Sequence, residues 1–274
     1  GRKIMAAAAA NLTPVTLELG GKSPTILGDD FPLELAAARI ATGKLFNGGQ
    51  TCIAPDYVFV PRAKRDAFVA ALRADIAKRF PDGNDFSDYT RIVNSGQYRR
   101  LRGYLDDAAN RGLSVQALLD IDPAKAESER LLPPTVVLEP GDDAKVMQDE
   151  IFGPILPIVS YDRIDDVIAY INAHDRPLAL YVFDYDRANV ERILTRCIAG
   201  GVTVNDALLQ FAASELPFGG VGPSGMGHYH AKEGFLNFSK LLPIVYQSRF
   251  TGFDFLLRPP YKGVADALVK FLSR

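Results

Sequence analysis

Apolar side chains recur along this chain at two periods, and the switching between them is the first readable signal. Val15-Thr16-Leu17-Glu18-Leu19 alternates with a β-branched bias and stops at Gly20-Gly21, as a short strand ending in a turn does. From Leu33 to Phe46 the apolar positions Leu35, Ala36, Ile40 and Leu45 fall at helical spacing, with Gly48-Gly49 as a C-terminal stop. Tyr57 to Val60 reads as a strand, and Phe68, Leu72 and Ile76 set the stripe of a helix ending near Arg79. Helices over 97–110, 164–171 and 189–198 then alternate with strands over 113–118, 135–138, 155–160, 178–183 and 201–205. Such interleaving predicts an α/β fold: an open, largely parallel sheet flanked by helices.

The remaining segments are read the same way. Gly1-Arg2-Lys3-Ile4-Met5 with the alanines after it is a helix already under way, because no N-cap precedes it. The chain is therefore expected to begin inside an element, and to pass into the main sheet near Gly20-Gly21. Phe218 to Gly227 is glycine-rich loop, and Leu241 to Gln247 is a late apolar strand. Beyond Ser248 come Pro259-Pro260 and an amphipathic helix with Leu268, Phe271 and Leu272 on one side.

Composition narrows the classes. With 47% hydrophobic and 23% charged residues the chain has enough apolar material for a sizeable core. A net charge of -2 offers no broad attraction for nucleic acid. The longest apolar run, Met5 to Ala10 and on to Leu12, is far short of the roughly 20 residues that cross a bilayer. Two cysteines make no disulfide framework, and a reducing cytoplasm is the default expectation.

Few side chains stand out as chemistry. Cys52 sits in Phe46-Asn47-Gly48-Gly49-Gln50-Thr51-Cys52, a turn between helix and strand, where reactive groups are often presented. A lone cysteine is more often a small buried thiol, and Cys197, beside Ile193, Leu194 and Ile198, fits that description. Glu18 lies between Leu17 and Leu19, so it either faces solvent or is held in a pocket where burial raises its pKa. Gly220-Val221-Gly222-Pro223-Ser224-Gly225 matches G-x-G-x-x-G, but no strand precedes it and Pro223 sits in the turn, so it is not read as a dinucleotide loop. Gly21-Lys22-Ser23 lacks the glycine a phosphate loop needs at position 16, and His228 with His230 has no third metal ligand.

Taken together, Leu17-Glu18-Leu19-Gly20-Gly21-Lys22-Ser23-Pro24, the Cys52 heptapeptide, Glu150-Ile151-Phe152-Gly153-Pro154, Pro217-Phe218-Gly219-Gly220 with Ser224-Gly225, and Gly234-Phe235 with Phe238-Ser239 resemble the aldehyde dehydrogenase superfamily. Nearly the whole chain is covered. The resemblance implies that Cys52 is the nucleophile and Glu18 the general base. It implies that Glu150 holds the nicotinamide ribose, that Phe152 packs beside that ribose and ring, and that Leu19 and Gly20 lie near the nicotinamide. Asn205 and Phe218, with the loop to Gly227, would wall the substrate pocket. The cofactor would be NAD or NADP, and the late strand over 241–247 would cross to a partner subunit in a homodimer. Asn11 to Glu18, Cys52 to Tyr57 and the tail place the chain nearest the class 3-like branch and the coniferyl-aldehyde dehydrogenases, which implies an aromatic aldehyde as substrate. The corresponding division is 1–20 as a remnant of the dinucleotide-binding domain, 21–240 as the catalytic domain, 241–250 as the oligomerisation strand and 251–274 as the tail. The family's oxyanion Asn, its adenosine-ribose Lys and its pyrophosphate turn precede Gly1, so the chain alone is expected to be inactive. A cofactor-free cysteine thioesterase or acyltransferase and a non-catalytic oligomerising module are the alternatives. The first needs a histidine base, and His174, His228 and His230 form no recognisable arrangement with Cys52.

Overall fold

Tyr57 and Phe59 point to one side of their strand while Val58 and Val60 point to the other, and each pair finds its own hydrophobic layer. The computed structural model describes residues 1–81, 85–249, 259, 261 and 263–273. Its strands are β1 (Leu17–Glu18), β2 (Pro24–Leu27), β3 (Tyr57–Pro61), β4 (Ser114–Ala117), β5 (Thr135–Leu138), β6 (Ile155–Tyr161), β7 (Ala179–Phe183), β8 (Gly201–Val204) and β9 (Gly225–Met226). Seven of them form one sheet in the order β4-β5-β6-β3-β2-β7-β8, parallel throughout except at β4–β5. The helices are α1 (Arg2–Ala9), α2 (Leu33–Leu45), α3 (Arg65–Arg79), α4 (Ser95–Asn110), α5 (Pro123–Glu129), α6 (Lys145–Gln148), α7 (Ile164–Ala173), α8 (Arg187–Arg196), α9 (Leu209–Ala212), α10 (Ala231–Asn237) and α11 (Gly263–Leu272).

Helices cover both faces, as the sequence predicts. Ile40, Phe68, Leu72 and Ile76 of α2 and α3 pack on Val58, Val60, Ile158 and Tyr181. Leu101, Val167, Ile168 and Ile193 of α4, α7 and α8 pack on Phe59, Ile155, Leu180 and Val182. Each such side chain contributes about 1.5–3 kcal/mol when fully buried, so the two layers fix the sheet firmly. The periodicity does not disclose β2. All four of its residues are buried, so it shows no alternation, although it lies at the centre between β3 and β7.

The chain divides into the units Gly1–Phe238 and Ser239–Arg274. Within the first unit β1 pairs antiparallel with β9, Leu17 opposite Met226 and Glu18 opposite Gly225. In the second unit, 241–247, expected as a strand, forms no ladder among the described residues. A strand requires a paired edge, and Leu241, Leu242, Ile244, Val245 and Tyr246 are exposed, Val245 at 88%. Residues 250–258, 260 and 262, where the expected strand ends and the tail begins, lie outside the described residues. Among those described, no helix is long and apolar enough to cross a membrane.

Candidate active site

Three loops enter three adjacent parallel strands at the same rim. The Glu18–Ser23 segment precedes β2, Cys52 precedes β3 and Glu150 precedes β6, and these strands are neighbours in the order β6-β3-β2. Segments far apart in sequence converge because parallel strands present all their amino ends on one side. Open α/β sheets usually place ligands beyond the carboxyl ends. Here the chemistry-bearing residues occupy the opposite rim.

The Cys52 turn is held from several directions. After α2 ends, Asn47 and Gly48 take left-handed φ values of 51° and 64°, which reverses the chain. Gln50 then donates to the carbonyls of Asn47 and Arg91 and accepts the Val93 amide. The Ala54 amide closes a turn onto the Thr51 carbonyl at 3.0 Å, leaving Cys52 at its first corner. Cys52 is half-buried, and the Glu18 carboxylate lies near its thiol. Burial first, then the charge and hydrogen bond of Glu18, push the thiol up to about 12, while the residue's own amide works in the other direction. The resting group is therefore the neutral thiol. Glu18 lies exposed in its strand.

Glu150 lies across the backbone of the Glu18 loop. A Cβ on Gly20 would stand 2.0 Å from Glu150 Oε2, so only glycine fits there. Glu150 Oε1 is buried with no hydrogen-bond partner among the described residues. Burial first, and the charge of Asp56 next, raise this carboxyl to about 7. Such a group binds its proton more tightly when folded, so the stability it contributes is complete below its usual 4.5 and is lost as pH rises through about 7. Glu150→Gln is therefore expected to raise the melting temperature near pH ~8 and to leave it unchanged near pH ~4; equal shifts at both would refute this. Beside it opens a cleft of about 540 Å³ lined by Gly20, Lys22, Tyr57, Glu150, Arg176 and Ser224. Leu19 is anchored by its amide to the Ser224 carbonyl at 3.0 Å. Phe152 is 39% exposed with φ at 52°, a strained conformation for an aromatic residue that presents its ring outward.

Aromatic rings stand on the far side of the sulfur. Phe218 is buried and exchanges two 2.8 Å backbone hydrogen bonds with Tyr229. His230 stacks on the Phe218 ring at 5.5 Å, and Phe211 meets Phe218 edge-on at 5.3 Å. Burial and the charges of Glu18 and Cys52 raise the Tyr229 phenol, which places it at this site. Sequence reasoning missed Tyr229 and the packing of His230. The signal available was an aromatic pair directly following the glycine-rich loop. Asn205, expected as a pocket wall, has its side-chain oxygen bonded to the Asp184 amide and its carbonyl to Arg39, so these bonds make it a strap between the ends of β7 and β8. The glycine-rich segment serves packing: Gly225 pairs with Glu18, and a Cβ there would stand 2.4 Å from the Leu17 carbonyl oxygen.

An unpartnered carboxylate oxygen beside a glycine floor, next to an outward aromatic ring, fits the hydroxyls of a nucleotide ribose. Residues 1–242 match the Aldehyde dehydrogenase family. A "Probable coniferyl aldehyde dehydrogenase" of Pseudomonas aeruginosa is 50% identical over 275 residues, which cover 100% of this chain and 56% of that protein. The chain thus spans little more than half the length of such relatives. Among solved structures, "Substrate bound state of Staphylococcus Aureus AldH" matches with a TM-score of 0.89 at 38% identity, covering 99% of this chain and 58% of that one. "NAD+ complex structure of aldehyde dehydrogenase from bacillus cereus" matches with a TM-score of 0.77 at 29% identity, covering 88% and 48%.

Proposed function

Because the chain belongs to the aldehyde dehydrogenase family, we propose that its rim of Glu18, Cys52 and Glu150 is the catalytic centre for oxidising an aldehyde to its carboxylic acid, with NAD or NADP as hydride acceptor. The observation that carries this reading is the closeness of the Glu18 carboxylate to the Cys52 thiol, with Glu150 on the adjoining strand entrance.

In this reading Glu18 takes the thiol proton and passes it to solvent, leaving the carboxylate free for the later step, and the Cys52 sulfur bonds to the aldehyde carbon, turning the carbonyl oxygen into an oxyanion. The Cys52 amide, already directed at the sulfur, supplies one donor to that oxygen. The nicotinamide, when bound, accepts the hydride that leaves the carbon with its electron pair. A thioester on Cys52 remains. Glu18 then removes a proton from water, the oxygen attacks the thioester carbon, and the acid departs with the sulfur restored. Glu150 and Phe152, with Leu19 and Gly20 at their side, orient the ribose and ring.

An aromatic aldehyde is the substrate class we favour. The relative named for coniferyl aldehyde supports it, and so do the rings of Phe211, Phe218, Tyr229 and His230, which offer edges and faces to a flat ligand. The exposed apolar run over 241–247 supports a homodimer, in which that segment gains the edge it lacks here. A thiol nucleophile must stay reduced, which suits the cytoplasm.

The test is turnover of a panel of aldehydes by the full-length protein with NAD and with NADP, alongside sedimentation. We expect a higher kcat/KM for hydroxycinnamic aldehydes than for straight-chain aldehydes, and a dimer that Val245→Asp separates. The 274-residue chain alone is expected to form no NADH steadily. A preference for aliphatic aldehydes would overturn the substrate assignment, and no oxidation of any aldehyde would overturn the activity.

A further inference from the structure

Beneath the rim lies more buried charge than a core holds without cause. Lys44 and Asp56 are each 3% exposed. Asp56 Oδ2 accepts from Lys22 Nζ at 2.6 Å, Oδ1 accepts the Ile151 amide at 3.2 Å, and Lys44 Nζ stands 3.8 Å from that same Oδ1. Lys22 also donates to the carbonyls of Val146 and Asp149 at 2.9 Å each, and the Asp56 amide donates to the Ser23 carbonyl at 2.8 Å. One carboxylate thus joins the loop before β2, the Cys52 turn and the segment carrying Glu150. Lys44 Nζ is buried with no partner at hydrogen-bond distance, and burial pulls it down to about 8.

Taking an ammonium out of water is costly, and Lys22 alone already neutralises Asp56. The second lysine therefore needs another explanation, and its surroundings supply one. Around Glu150 stand Lys22, Lys44, Cys52 and Asp56. From α4, Arg100 donates to the carbonyls of Glu150 and Ile151, and the Tyr104 hydroxyl donates to Asp149. His174, Asp175 and Arg176 line the same cleft at the end of α7. In the packed layer, the cations Lys22, Lys44 and Arg100 balance the carboxylates Asp56, Asp149 and Glu150. Without Lys44 the layer carries one uncompensated negative charge, and Glu150, its weakest acid, is where a proton would go.

We propose that Lys44 is a positioning residue whose charge offsets Asp56 and so keeps Glu150 ionised beside it, with the 149–151 segment presented as an acceptor for nucleotide ribose hydroxyls. This rests on the reading of Glu150 given above. Lys44 touches neither cofactor nor substrate; it acts through Asp56.

The experiment is NADH binding by fluorescence titration in the full-length protein, from about pH 6 to about pH 9, with thermal unfolding of every variant. Lys44→Met is expected to raise Kd about fivefold near pH ~7, the effect of one pKa unit on a Glu150 that titrates near 7, and less than about threefold near pH ~9, where Glu150 is ionised in both proteins. Lys44→Arg keeps the charge and should keep the profile. Lys44→Met with Asp56→Asn removes one charge of each sign and should return the profile toward wild type. A Kd ratio that is the same at both pH values, or a Lys44→Met protein that does not fold, would make Lys44 merely structural and overturn the proposal. Glu150→Gln separates the two readings. If it flattens the pH profile while Lys44→Met leaves it unshifted, only the role of Lys44 falls; if it binds NADH as wild type at every pH, the assignment of Glu150 falls and takes Lys44 with it.

Discussion

Glu18→Gln is expected to move two readouts of one sulfur in opposite directions. The charge and hydrogen bond of Glu18 both raise the Cys52 thiol, so removing the charge lowers its pKa and speeds alkylation of Cys52 by iodoacetamide at mildly alkaline pH. The same substitution removes the base that activates water, and steady turnover should fall by about 10²–10⁴-fold. In the variant the thiol, lowered in pKa, can give its proton directly to solvent, so a first burst of NADH is expected to survive, followed by a stall with the acyl group on Cys52, visible as added mass on the intact protein. A merely structural Glu18 would slow both reactions together. Unchanged turnover with unchanged alkylation would sink the assignment.

Cys52→Ala should have the larger effect on turnover. Removing a covalent nucleophile typically costs roughly 10⁴-fold or more, because the remaining groups only assist a bond that no longer forms. Little else should change. The turn over 51–54 is closed by backbone atoms and by Gln50, not by the sulfur, so the variant is expected to fold and to bind NADH within about threefold of wild type. Thiol titration of the native protein provides the control. Cys197, buried behind the end of α8, is expected to label slowly in both proteins, so nearly all the fast-reacting thiol should vanish with Cys52. Aldehyde oxidation at more than about one per cent of wild type would place the nucleophile elsewhere.

The layer architecture was legible because it depends on periodicity. The helix stripes of α2, α3, α4, α7 and α8 and the strands β3, β5, β6, β7 and β8 follow from side chains that face one layer or the other. What failed to show was whatever lacks contrast. Pro24-Thr25-Ile26-Leu27 is buried on both faces and opens with proline, so neither alternation nor propensity marks it. Register was invisible too: nothing local in Leu17-Glu18 says that it pairs with Gly225-Met226.

The candidate site was legible only through motifs. Spacing alone left Cys52 a small thiol and Glu18 a strand residue between two leucines, and the pairing of their side chains exists only once β2 and β3 lie side by side. Lys44 could have been found. It falls four residues after Ile40 and eight after Ala36, on the buried face of α2, where a lysine contradicts the stripe. Asp56, the residue before a strand buried along its length, carries the same kind of contradiction. Asn205 shows the limit of motif reading, since the strap it makes between the ends of β7 and β8 has no local signal.

The pairing of β1 with β9 has a temporal side. The thiol, its turn and the strand behind it are all made early in synthesis, while the segment that holds the carboxylate in register emerges only near the end of the first unit. Until Gly225 arrives neither the full burial nor the fixed Glu18 charge that raises the Cys52 thiol is in place. A nascent chain thus carries its most easily ionised sulfur before its core closes, and completing the fold is what quiets that sulfur toward stray electrophiles.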